Sequence, residues 1–162
     1  MNPATARRQS RGFTIVELVT TIVILGVVAA IASPRFFSTS SFETAGFAAE
    51  VRSGLRHAQA TAMASGCDIR AQLSSSGFVL QRWSGGAGCN DRTGTLQTLK
   101  RADGGDYLSQ PPSGITVGAA ALYFDSMGRP RDANSGALLS TALSITVGTD
   151  TVVVYPDTGL VR

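Results

Sequence analysis

The chain has 162 residues, 43% of them hydrophobic and only 15% charged, which suits one modest core and argues against a disordered polymer. That charged fraction is well below the roughly 25% of an average soluble domain, so part of the chain is expected to lie out of water. Formal charge is +3, from 14 basic against 11 acidic residues, and Arg7, Arg8 and Arg11 supply the whole excess, which disfavours a broad nucleic-acid-binding surface on the body.

Phe13 to Ala32 reads FTIVELVTTIVILGVVAAIA, with one charge, Glu17, and two threonines, Thr20 and Thr21. Twenty residues at the helical rise span about 30 Å, the thickness of a bilayer's hydrocarbon core. The arginines before it place the N-terminus in the cytoplasm and the body outside. A secretory signal peptide cut at Ala30-Ile31-Ala32 and a plain uncleaved anchor both fit the apolar run, but neither accounts for a carboxylate near its start. A lone carboxylate there reads most simply as a residue reaching back to the interface.

Arg11-Gly12-Phe13-Thr14-Ile15-Val16-Glu17-Leu18 resembles the class III signal of type IV pilins and pseudopilins, and this resemblance covers about 30 residues. It implies that residues 1–12 are a leader, that a prepilin peptidase cuts between Gly12 and Phe13, and that Phe13 becomes N-methylated. It also implies that Glu17 serves assembly. A carboxylate in lipid is costly unless paired or protonated, and the cut frees an α-amine that a neighbouring subunit's Glu17 can meet. Gly12 has no side chain to obstruct a protease at the backbone. Pro34 matches the proline that commonly kinks the family's long helix, so residues 13–34 are read as the transmembrane and filament-core helix.

Beyond Pro34 the pattern becomes amphipathic. Phe47, Val51, Leu55, Ala58 and Ala62 fall on one helical stripe, and Gly66 is a natural stop, so residues 35–65 are expected to be helical. Phe13 to about Ala64 is read as one helix of roughly 50 residues, about 75–80 Å long, bent at Pro34. Strands are then expected over 68–73, 78–83, 96–99, 122–124, 144–147 and 152–155, with a final Leu160-Val161. One long helix followed by an antiparallel sheet, with no βαβ alternation, is an α+β fold whose residues 66–162 form a β-rich head.

The head strengthens the resemblance. Arg56-His57-Ala58-Gln59, Phe124-Asp125-Ser126-Met127-Gly128-Arg129-Pro130 and the late Thr158-Gly159 are similar to elements of GspH/FimT-type minor pilins and pseudopilins. Ile24-Leu25-Gly26 and Ser33-Pro34-Arg35-Phe36 are similar to minor pilins of mannose-sensitive-haemagglutinin-type pili. The DNA-binding FimT-type pilins of natural transformation carry a Gly-Arg-x-Arg motif near the C-terminus. Here that stretch is Gly159-Leu160-Val161-Arg162, which weakens a nucleic-acid partner.

No metal or cofactor is expected, because His57 is the single histidine and no C-x-x-C is present. Cys67 and Cys89 fit a disulfide if the head lies outside the cytosol; two buried free thiols are the alternative. No nucleophile, base and orienting group come together in the sequence, so no catalytic residue is assigned. Arg129, Arg131 and Arg162 are candidate ligand-binding residues. The blander reading pairs Arg129 and Arg131 with Asp125, Asp132 or water.

The resulting expectation is a non-enzymatic minor pilin or pseudopilin in the bacterial inner membrane, head in the periplasm, which later joins a pilus or pseudopilus. Its implied partners are prepilin peptidase, other pilins met through the N-terminal helix, and the inner-membrane assembly platform. A pseudopilin of a type II secretion system and a DNA-binding minor pilin are the alternatives.

Overall fold

The computed structural model describes residues 13–32 and 39–162. The chain divides into two units at Ser38 and Thr39. In the first, α1 runs over Ile15–Ala32. Its apolar residues from Ile15 to Val28, including Leu18, Ile22 and Leu25, are exposed. Among the described residues no helix is long and apolar enough to cross a membrane; the 18 residues of α1 amount to about 27 Å. Pro34, and with it the expected kink and the continuity of a single 50-residue helix, lies outside the described residues.

The second unit opens with α2, Thr39–Ser65. The expected stripe is its buried face: Phe47, Val51, Leu55, Ala58 and Ala62 are all at most 4% exposed. Gly66 ends the helix with a positive φ of 69°, its N–H bonded to the Ala62 carbonyl at 2.9 Å, as a left-handed C-terminal glycine does.

Eight strands follow: β1 Ile69–Ser74, β2 Gly77–Ser84, β3 Thr95–Thr98, β4 Leu108–Ser109, β5 Ala120–Phe124, β6 Pro130–Asp132, β7 Leu143–Val147 and β8 Asp150–Val154. The first six form an antiparallel sheet in the order β3-β2-β1-β5-β6, with β4 also on β2, while β7 and β8 form a separate hairpin sheet. The chain is thus α+β in a pilin-like arrangement: an N-terminal helix, a second helix, and antiparallel sheet.

Ile69, Ala71 and Leu73 of β1, Phe78 and Leu80 of β2, and Leu122 and Phe124 of β5 form one core with the α2 stripe. Ile145, Val147, Val152 and Val154 of the hairpin, and Val161, complete that core. Single bridges widen the hairpin sheet on both sides, Val117 to Val147 and Val154 to Val161. Register places Gln81, Arg70, Tyr123 and Arg131 side by side across β2, β1, β5 and β6. They alternate with the core residues and so occupy the opposite face of the sheet.

Three details depart from the sequence reading. The strands β4 and β6 were not anticipated, and Pro130 begins β6 where the pattern suggested only a turn. The last hairpin does not extend the main sheet.

Candidate functional site

Two regions carry the residues singled out by sequence. The first is the start of α1. Thr14 caps the helix: its hydroxyl accepts the N–H of Glu17 at 3.2 Å and its carbonyl accepts the N–H of Leu18 at 3.1 Å. Thr-x-x-Glu at a helix start is the capping-box spacing, so the sequence itself carries the signal for this cap. Glu17 therefore sits in the first turn, where the helix dipole favours negative charge.

Thr20 and Thr21 satisfy their hydroxyls within the helix. Thr20 donates to the carbonyls of Val16 at 2.9 Å and Glu17 at 3.0 Å, and Thr21 to that of Leu18 at 2.8 Å. Both can therefore enter an apolar medium without an orphaned polar group. The Glu17 carboxylate is the contrasting case: among the described residues it has no hydrogen-bond or ion-pair partner. Phe13 is exposed just before the helix, and Gly12 lies outside the described residues.

The second region is the part of the head where two chain segments, the 124–130 turn and the C-terminal stretch, meet α2. Gln59 Nε2 donates to the carbonyls of Gly128 at 2.9 Å and Thr158 at 2.8 Å. One turn earlier, Arg56 grips the Val161 carbonyl with Nε at 3.2 Å and Nη2 at 2.8 Å. The short motifs read separately from the sequence are thus one assembly, with Arg56 and Gln59 fastening the 124–130 turn and the C-terminal stretch to the helix. His57 lies elsewhere, stacked on Tyr107 with ring centroids 4.7 Å apart.

Asp125 organises the turn. Its Oδ1 accepts the backbone N–H groups of Met127 and Arg129, each at 3.0 Å. Its Oδ2 accepts Nε of Arg129 and Nε of Arg131, also at 3.0 Å. Burial pushes the Asp125 carboxyl up, but the Arg129 N–H, the two guanidiniums and the Met127 N–H outweigh it, so the group lies below the ordinary carboxylate range. Asp132 is not the partner of either arginine; its carboxylate instead accepts the N–H groups of Asn134 and Ser135 and the Ser135 hydroxyl.

Arg129 and Arg131 are therefore brought together by a shared carboxylate, while Arg162 stands apart. The Arg162 backbone exchanges two 2.9 Å bonds with Val153, and its side chain is exposed. Cys67 and Cys89 are joined in a disulfide, which ties the end of α2 to the loop after β2. Among the described residues no group of His, Cys, Asp and Glu is placed to hold a metal.

Residues 7–33 match the family model described as the prokaryotic N-terminal methylation motif, about one sixth of the chain. No curated protein and no solved structure matches the chain. The matched segment contains Gly12, Phe13 and the capped start of α1, and it supports a prepilin-type, type IV pilin-like protein: one processed by prepilin peptidase, anchored in the membrane and then assembled with other pilins.

Proposed function

We propose that the chain is a minor pilin or pseudopilin, a non-enzymatic structural subunit that initiates, caps or modifies a type IV pilus or pilus-like filament. The observation that carries this reading is the N-terminal methylation motif over residues 7–33, which includes an apolar helix whose residues from Ile15 to Val28 are exposed. Such a helix needs lipid or other apolar helices around it. Cleavage between Gly12 and Phe13 would remove all three leader arginines and create a cationic α-amine four residues before Glu17. In a filament, that amine on one subunit neutralises the unpartnered Glu17 of another, while the head faces outward.

The test is Glu17→Val in the native host. The variant should insert in the inner membrane at normal levels, yet fall by about tenfold or more in sheared filaments, as expected for loss of a charge pair in an apolar interior. Wild-type incorporation would refute the pairing role. Deleting the gene discriminates the machine: lost or shortened pili support a pilus subunit, and exoproteins trapped in the periplasm with pili intact support a secretion pseudopilus.

A further inference from the structure

From Phe13 onward the chain contains two methionines, Met63 and Met127, and both lie at the joint between α2 and the 124–130 turn. Met63 continues the row of α2 side chains that hold this joint. Arg56 grips the Val161 carbonyl, Gln59 holds Gly128 and Thr158, and Met63, one turn on, covers Gly128. A Cβ added at Gly128 would lie 2.8 Å from Met63 Sδ, 3.0 Å from its Cγ and 3.4 Å from Gln59 Cγ. The thioether therefore rests directly on the glycine backbone.

Both side chains are open to a dissolved oxidant, since Met63 is 51% and Met127 70% exposed. The remaining sulfurs are already oxidised: Cys67 and Cys89 share a disulfide and, among the described residues, no cysteine is free. The two methionines differ in what an added oxygen does. Gln59 Nε2 carries two N–H groups, and the Gly128 and Thr158 carbonyls take both. A sulfoxide on Met63 replaces an apolar contact with a bulkier, strong acceptor among these acceptors, and no donor is left for it. Met127, mostly in water, carries the same oxygen solvated.

We propose that Met63 is a site of reversible oxidation by peroxide, and that its sulfoxide unlatches the 124–130 turn from α2. The sulfur gives two electrons to the peroxide O–O bond and takes one oxygen atom, while the other peroxide oxygen leaves as water. The sulfoxide side chain swings off Gly128 into solvent, and the turn, with its Asp125, Arg129 and Arg131 cluster, loosens. A methionine sulfoxide reductase, drawing two electrons from thiols, removes the oxygen as water and restores the contact.

The experiment treats the full chain in detergent with hydrogen peroxide and follows peptide mass spectrometry, the thermal midpoint and backbone amide exchange. The account predicts one added oxygen on Met63 and one on Met127, with a midpoint several degrees lower. Exchange should accelerate more at Gly128 and Arg129 than at Val152 and Val154. Met127→Leu should respond to peroxide as the wild type does. Met63→Leu, which keeps an apolar side chain of similar size, should hold its midpoint while its Met127 oxidises. Reductases for both sulfoxide epimers should restore the wild-type midpoint. A wild-type chain with Met63 fully oxidised, yet with midpoint and exchange unchanged, would overturn the proposal. So would a Met63 that resists peroxide while Met127 reacts, or an equal loss of stability in oxidised Met63→Leu. A midpoint that stays low after reduction would also overturn it, by making the change irreversible damage.

Discussion

Gln59 donates its side-chain amide to the carbonyl of Gly128 at 2.9 Å, joining the C-terminal part of α2 to a turn 69 residues later in the chain. The same nitrogen holds Thr158. Gly128 has a φ of +75° and a Cβ there would press on Met63, while a Cβ on Gly159 would collide with the Gly128 carbonyl and with Gln59 itself. Helix, turn and C-terminal stretch therefore pack with no room for larger groups.

Gln59→Leu leaves two carbonyls without their donor and should cost about 1–3 kcal/mol of head stability. Gly159→Ala should cost at least as much through strain and collision. Chemical denaturation of the two variants checks both figures; wild-type midpoints would mean that the three segments are held by other contacts.

Asp125→Asn should lower stability by about 2 kcal/mol at pH 7, because two guanidiniums lose their shared carboxylate. The native Asp125 carboxyl lies below its unfolded value. Its contribution is therefore complete above the unfolded value near pH 4 and disappears as pH falls through the lower folded one. The deficit of the variant should shrink in strong acid, read by denaturation at several pH values.

Asp68 should behave with the opposite sign. Burial pushes its carboxyl up, against the pull of Arg92, so the native state holds this proton more readily than the unfolded chain does. Stability from this group is greatest below the unfolded value and is lost as pH rises through the folded one. Asp68→Asn is expected to hold or raise stability at pH 7 and to remove that pH dependence. Marked destabilisation at neutral pH would show that the charged form makes a favourable contact.

Reducing the Cys67–Cys89 disulfide, whose partners are 22 residues apart, should cost about 3 kcal/mol in the chain-entropy account. Thermal melts with and without reductant measure this, and the reduced head should melt several degrees lower.

The sequence made the helical stripe legible because burial of one face imposes a 3.6-residue period, and Phe47, Val51, Leu55, Ala58 and Ala62 obey it. Strands β7 and β8 are readable as β-branched runs, and β1 and β2 as short stretches on either side of a Ser-Gly turn. The two-residue β4 and three-residue β6 are too short to show any period. Nor does local pattern reveal that β7 and β8 form a sheet separate from the first six strands, since that is decided by packing against α2. Arg131 and the adjacent Asp132 point to opposite sides of β6, so the nearest carboxylate in sequence is not the partner in space. The placing of Arg92 over the Tyr123 ring, against which Trp83 also packs, has no sequence signature either, because only the folded sheet and the loop after β2 bring these residues together.

At the N-terminus, Thr14 and Glu17 already had capping-box spacing, and Thr14→Ala should weaken the first turn of α1 by about 1 kcal/mol. Backbone amide exchange at Glu17 should accelerate in that variant, and unchanged exchange would show that the cap contributes nothing.

The most direct test of the account is the mature N-terminus of the native protein, read by intact mass and N-terminal peptide mass spectrometry. A chain beginning at N-methylated Phe13 is the predicted result. A chain beginning at Ser33, or one that retains the first twelve residues, would contradict prepilin processing and with it the filament role.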